Sequence, residues 1–123
     1  MNTGDHLWTV PNGDGPRDHP ALKALNLPPL GQPSRDMPLL TKTLLFVGQG
    51  DPIMIRTPPM GSTKFGNKIR AYDKQNGKVV WEMELPAGST GAMISYLHNG
   101  KQYIVLPIGS QTHAAEFVAL TLP

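Results

Sequence analysis

Three observations predict an all-β chain. Glycine and proline, 13 of each in 123 residues, exceed a fifth of the sequence, which interrupts long helices and suits short strands joined by turns. Lys78 to Leu85 alternates: Val79, Trp81, Met83 and Leu85 fall on one face, and Lys78, Val80, Glu82 and Glu84 on the other, the period of a half-buried outer strand. Two apolar stretches flank His98-Asn99-Gly100-Lys101, and Asn-Gly in that setting is the strongest short hairpin signal.

The elements follow in order. Leu7 to Val10 reads as a short strand ended by the turn-rich Pro11 to Pro16, so residues 1–10 form an orphan outer strand whose hairpin partner is missing. Residues 11–37 form a loop in which only Ala21 to Leu25 can support a single helical turn. Residues 38–85 carry a complete four-strand set. Pro38 to Thr41 and Leu44 to Gly48 make a hairpin apolar enough to be buried on both faces, Gln49 to Asn67 is a long proline-bearing excursion, and Lys68 to Tyr72 and Lys78 to Leu85 finish the set. Residues 86–123 supply three more strands, Ala92 to Leu97, Gln102 to Leu106 and Phe117 to Leu122, with a loop from Gly109 to Glu116 before the last. That set has no outer strand.

Composition narrows the function. The formal net charge of +2 comes from Lys and Arg dispersed among carboxylates, with no basic run or aromatic-basic stripe, so nucleic acid is not an expected partner. Without cysteine the segment has no disulfide, thiolate metal site or cysteine nucleophile. No run approaches the ~18 apolar residues of a membrane span. The carboxylates lack the spacing of a catalytic pair on one strand face, and His6, His19, His98 and His113 stand too far apart for a zinc set. Neither a catalytic residue nor a metal ligand is expected in this segment.

The pattern Ala71-x-Asp73-x-x-x-Gly77-Lys78-x-x-Trp81 resembles the tryptophan-docking repeat of quinoprotein dehydrogenases, β-propeller enzymes that use pyrroloquinoline quinone (PQQ). Asn2 to Trp8 matches the end of a second copy whose Ala-x-Asp half is absent, and Met1 stands where the repeat has an ordinary internal residue, so the reading frame is expected to continue upstream. Leu39 to Gly48, Leu85 to Gly88, Asn99 to Val105 and Ala115 to Leu120 extend the similarity. The resemblance implies a partial β-propeller of about two four-stranded antiparallel blades from an eight-bladed ring, the last lacking its outer strand.

In that family each docking tryptophan covers the peptide plane of the next repeat's glycine, so Trp81, Trp8, Gly77, Asp73 and Ala71 are expected to be structural. Burial of such a ring contributes on the order of 4 to 6 kcal/mol before entropy is subtracted. Alignment on Gln102-Tyr103 and Gly109 puts His113 where relatives carry a cofactor-contacting tryptophan, making His113 and Thr112 the expected cofactor-binding residues. Ser34, Arg35 and Asp36 enter the preceding blade in the same axial zone, where relatives have Trp-Gly-Gly or Gly-Gly. The family's calcium ligands and its aspartate base have no match in this chain.

The resemblance therefore implies the C-terminal part of a periplasmic or periplasm-facing, glucose-dehydrogenase-like enzyme. The whole protein would use PQQ and calcium to oxidise a sugar or alcohol by hydride transfer and pass electrons to a respiratory-chain acceptor. The segment alone is expected to bind neither group and to be inactive, its partners being the remaining blades. A non-enzymatic PQQ-repeat scaffold of the outer-membrane assembly type is the alternative; the 49–67 loop and the ending Gly109 to Leu122 favour the enzyme. The open edge at Phe117 to Leu122 also predicts self-association, with Leu7 to Val10 of one copy filling the open blade of another.

Overall fold

Strand pairing sorts the chain into two antiparallel sheets. The computed structural model describes residues 3–34, 36–50 and 66–121. After a single turn of helix, α1 (Pro20–Lys23), come β1 (Leu39–Leu40), β2 (Leu44–Gly48), β3 (Lys68–Asp73) and β4 (Val79–Glu84), which pair in chain order as one sheet. The second sheet is β5 (Ile94–His98), β6 (Lys101–Ile108) and β7 (Glu116–Thr121), again in chain order. Tight turns explain the order: Asn99 and Gly100 both take positive φ, 49° and 76°, which a two-residue hairpin needs and which few other dipeptides tolerate. Most of the long Gln49 to Asn67 excursion lies outside the described residues.

Period-two alternation brings Leu39, Phe46, Ile69 and Met83 to one face of the first sheet, and these meet Leu106, Val118 and Leu120 from the second. Leu85, Ala87 and Met93, from the connection between the sheets, complete the core. A core built between two blades, rather than within either, makes each sheet depend on its neighbour.

Three expectations are corrected. Leu7 to Val10 forms no strand: Leu7 is 83% exposed, no described strand pairs with it, and an isolated strand has no ladder to satisfy its backbone. The hairpin of β1 and β2 is not buried on both faces; Leu40 is exposed and Leu44 to Val47 are half-buried, because only the face carrying Leu39 and Phe46 meets the second sheet. In β4 a bulge breaks the alternation. Trp81 pairs with Ala71 but Val79 pairs with Tyr72, so two residues of β4 span one step of β3 and Val79 leaves the Trp81 face. The Trp81 end of that strand is exposed rather than half-buried, since the second sheet covers it only near Met83.

Candidate functional site

The incoming segment is held by Trp8. A Cβ added at Gly77 would lie 2.7 Å from Cδ2 and Cε3 of Trp8, so the indole rests directly on the turn glycine, whose φ of +71° is itself costly for other residues. The indole Nε1 donates to the Lys74 carbonyl at 2.8 Å, and the ring stacks on Tyr72 with centroids 6.5 Å apart. Asp73 shapes the turn beneath it by accepting the Gln75 backbone N–H at 2.7 Å, while Ala71, buried in β3, faces Trp81 across the ladder. Trp81 is 41% exposed. The structure thus joins Trp8 to Gly77 and leaves Trp81 without an equivalent seat among the described residues.

Asn12 clips the same segment to the sheet. Its Nδ2 donates to the Gly48 carbonyl at 2.9 Å, and its Oδ1 accepts from Arg70 Nη1 at 3.2 Å and from the Tyr72 hydroxyl at 3.1 Å. Burial pushes the Tyr72 phenol up, partly opposed by the Arg70 charge beside it. Nothing local in the sequence marks Asn12, since its partners lie 36 to 60 residues away.

At the opposite end of the sheets from the Gly77 and Gly100 turns, three connections converge: the end of β2, the crossing from Leu85 to Met93, and the loop between β6 and β7. Backbone bonds stitch them together. Ser89 N donates to Gln49 O at 2.9 Å, Thr90 N to Pro107 O at 3.0 Å, and Gly109 N to Gly88 O at 3.0 Å. A parallel bridge of Met37 with Ala92 ties the two entering segments side by side. Topology alone gathers these loops: in a four-stranded meander the second-to-third connection and the exit to the next sheet leave from the same end.

The loop carrying Thr112 and His113 is ordered by its own polar groups. Ser110 N donates to His113 O at 3.0 Å, Thr112 N donates to Ser110 Oγ at 3.2 Å, and His113 Nε2 lies 2.8 Å from Glu116 Oε1. His113 is half-buried and Thr112 exposed. Ser34 and Asp36 stand at the entry to β1, where Ser34 Oγ donates to Asp36 Oδ2 at 3.0 Å. Arg35 lies outside the described residues. Burial raises the Asp36 carboxyl above the ordinary 3.8, opposed in part by the Ser89 and Ser34 hydroxyls. Among the described residues no three His, Asp or Glu side chains converge.

A cavity of about 420 Å³ lies elsewhere, between the incoming loop and β3, lined by Asp14, Arg17, Asp18, Gln49, Lys68 and Arg70. Its cations are committed. Lys68 and Arg70 meet Glu82 at 2.7 and 3.1 Å, and Arg17 meets Asp14 at 3.2 Å. Glu82, on the exposed face of β4, is the acceptor that ties β3 to β4, and the Lys68 hydrogen bond is the main reason its carboxyl is held below 4.5.

A tryptophan of one repeat seated on the turn glycine of the next, beside adjoining antiparallel meanders with loops gathered at one end, defines a segment of a tryptophan-docked β-propeller. The profile of the PQQ family, described as the β-propeller domain of glucose/ethanol/alcohol dehydrogenases, matches residues 1–104, and the chain belongs to that family. It is similar to a probable quinate dehydrogenase (quinone) of Xanthomonas campestris pv. juglandis, 30% identical over 100% of this chain and 15% of the relative. A quinate/shikimate dehydrogenase (quinone) of Acinetobacter baylyi is 30% identical over 89% of the chain and 12% of the relative. Quinoprotein glucose dehydrogenase A of Acinetobacter calcoaceticus is 44% identical over 41% of the chain, in a match covering 6% of that protein. The chain thus corresponds to a small part of each relative's length.

Proposed function

We propose that this chain is the C-terminal, ring-closing portion of a PQQ-dependent dehydrogenase that oxidises a sugar or alcohol by hydride transfer. The observation that carries the reading is the seat of Trp8 on Gly77, the blade-to-blade joint of the family to which the chain belongs. Bound PQQ would supply the hydride acceptor. The loop at 109–113 fits the rim of a flat, oxygen-rich group by its chemistry: Thr112 offers an exposed hydroxyl, and His113 a ring whose Nε2 is engaged by Glu116. These two residues would orient the cofactor or the substrate hydroxyl.

No group of three His, Asp or Glu side chains stands together among the described residues, and the calcium ligands and the base that takes the substrate proton would belong to other blades. The whole protein would face the periplasm and deliver electrons to a respiratory-chain acceptor. The test is the complete protein, reconstituted with PQQ and calcium, assayed for dye reduction with sugars, alcohols and polyols. His113→Ala should lower catalytic efficiency or shift substrate preference, by up to about a hundredfold where orientation is lost, with little change in melting. Wild-type kinetics in that variant would remove His113 from the site, and a complete protein that binds no PQQ would favour the scaffold reading.

A further inference from the structure

The loop between β6 and β7 ends on a residue fixed by the sheet. Glu116 opens β7 and pairs across the ladder with Ile108, which is fully buried. Three positions back, His113 is held twice: its carbonyl accepts from Ser110 N at 3.0 Å, and its ring Nε2 lies 2.8 Å from Glu116 Oε1. The neck of the loop is narrow, since a Cβ on Gly109 would stand 3.4 Å from Ala115 Cα. These contacts restrain the His113 side chain at both ends, its backbone and its far nitrogen.

A carboxylate only accepts hydrogen bonds, so the hydrogen of this contact sits on Nε2. In the neutral ring the other nitrogen, Nδ1, then carries the lone pair and accepts. Among the described residues Nδ1 has no hydrogen-bond partner. We propose that Glu116 is a positioning residue: it holds the His113 ring so that the Nδ1 lone pair receives a hydroxyl of the bound sugar or polyol. This rests on the reading of residues 109–113 as part of the site.

The direction of the bond separates substrate from cofactor. A quinone rimmed with carbonyl and carboxylate oxygens presents acceptors to that lone pair, whereas a sugar or polyol hydroxyl presents a donor. Both side chains are partly open to water, and a pair of that kind contributes little to stability. Its effect falls instead on the orientation of the ring, to which binding of a hydroxyl is sensitive.

The complete protein loaded with PQQ and calcium tests this, with glucose, quinate or glycerol, the compounds for which relatives are named. His113→Ala should raise KM about tenfold with kcat little changed, as expected for one lost hydrogen bond to substrate. Glu116→Ala should raise KM about fivefold with unchanged melting, and Glu116→Gln, whose amide oxygen still accepts from Nε2, should stay within about twofold of wild type. The double alanine variant should be no worse than His113→Ala alone, because Glu116 acts through that ring. PQQ affinity, read by quenching of tryptophan fluorescence in the protein prepared without cofactor, should be the same in every variant. Wild-type kinetics in His113→Ala would remove the site and this role with it. A loss in His113→Ala with none in Glu116→Ala would overturn the role of Glu116 alone. Losses that multiply in the double variant, a Glu116→Gln as impaired as Glu116→Ala, or a fall in PQQ affinity would each overturn it as well.

Discussion

Gly77 meets two demands that no other residue meets at low cost: a positive φ, and an indole face 2.7 Å from where a Cβ would stand. Gly77→Ala should cost roughly 2 to 3 kcal/mol from strain and displacement of Trp8. Trp8→Ala should cost a similar amount, below the range for a fully buried tryptophan because Trp8 is half-buried. The two should not add: once the ring is gone the methyl has nothing to displace, so a double-mutant cycle by urea denaturation should give a coupling of about 1 kcal/mol or more. Additive losses would mean that the ring and the glycine do not share a contact. Trp81 is the contrasting case. At 41% exposed it should cost only about 1 kcal/mol when cut to alanine in this chain, and about 3 to 5 kcal/mol in a complete ring if another blade covers it.

Among the elements, β3 and β4 are tied across their outer face by Glu82, which receives both Lys68 and Arg70. The site is open to water, so Glu82→Gln should cost less than about 1 kcal/mol, and less still at high salt. Because that carboxyl is held below 4.5, its contribution is present above that pH and fades as pH falls through the folded value. An acid limb of the melting curve that is unchanged in Glu82→Gln would contradict this sign. The second sheet has a larger exposure: its face away from the core carries Ile94, Tyr96 and Phe117, with Phe117 78% exposed, and β7 has no further strand beside it among the described residues. A charge at that face should suppress association, so Phe117→Lys should shift the 123-residue chain toward monomer in sedimentation or light scattering. Equal association of both forms would place the contact elsewhere.

For the whole molecule, the shared core between the sheets means that neither blade is a folding unit by itself. Leu85, Ala87 and Met93, which join the sheets, lie in the same cluster as Ile69 and Leu106. Cutting the crossing between Leu85 and Met93 should therefore melt both sheets together, where independent blades would keep separate transitions in calorimetry. The 123-residue chain supplied with PQQ and calcium should neither bind them tightly nor reduce dye with glucose, since no three His, Asp or Glu side chains are gathered among its described residues. Tight calcium-dependent binding by the chain alone would refute that division of labour.

Short-range rules account for the strands and turns. Alternation, the Asn99-Gly100 turn and the Asp73 to Gly77 turn set the strands and their antiparallel order, because hairpin pairing is a short-range decision. The docking repeat identified Trp8 and Gly77 individually, and Thr112 and His113 could be nominated by their loop. Long-range packing fixes the remaining features. That Leu7 to Val10 is no strand, that Val79 leaves the Trp81 face at a bulge, and that Asn12 bonds to Gly48, Arg70 and Tyr72 depend on partners remote in the chain. Asp36 and Ser89 stand 53 positions apart in sequence, and their burial against Gly48 and Gly50 arises from the packing of one sheet on the next. A carboxyl's protonation follows from how much water that packing removes, which no local pattern encodes.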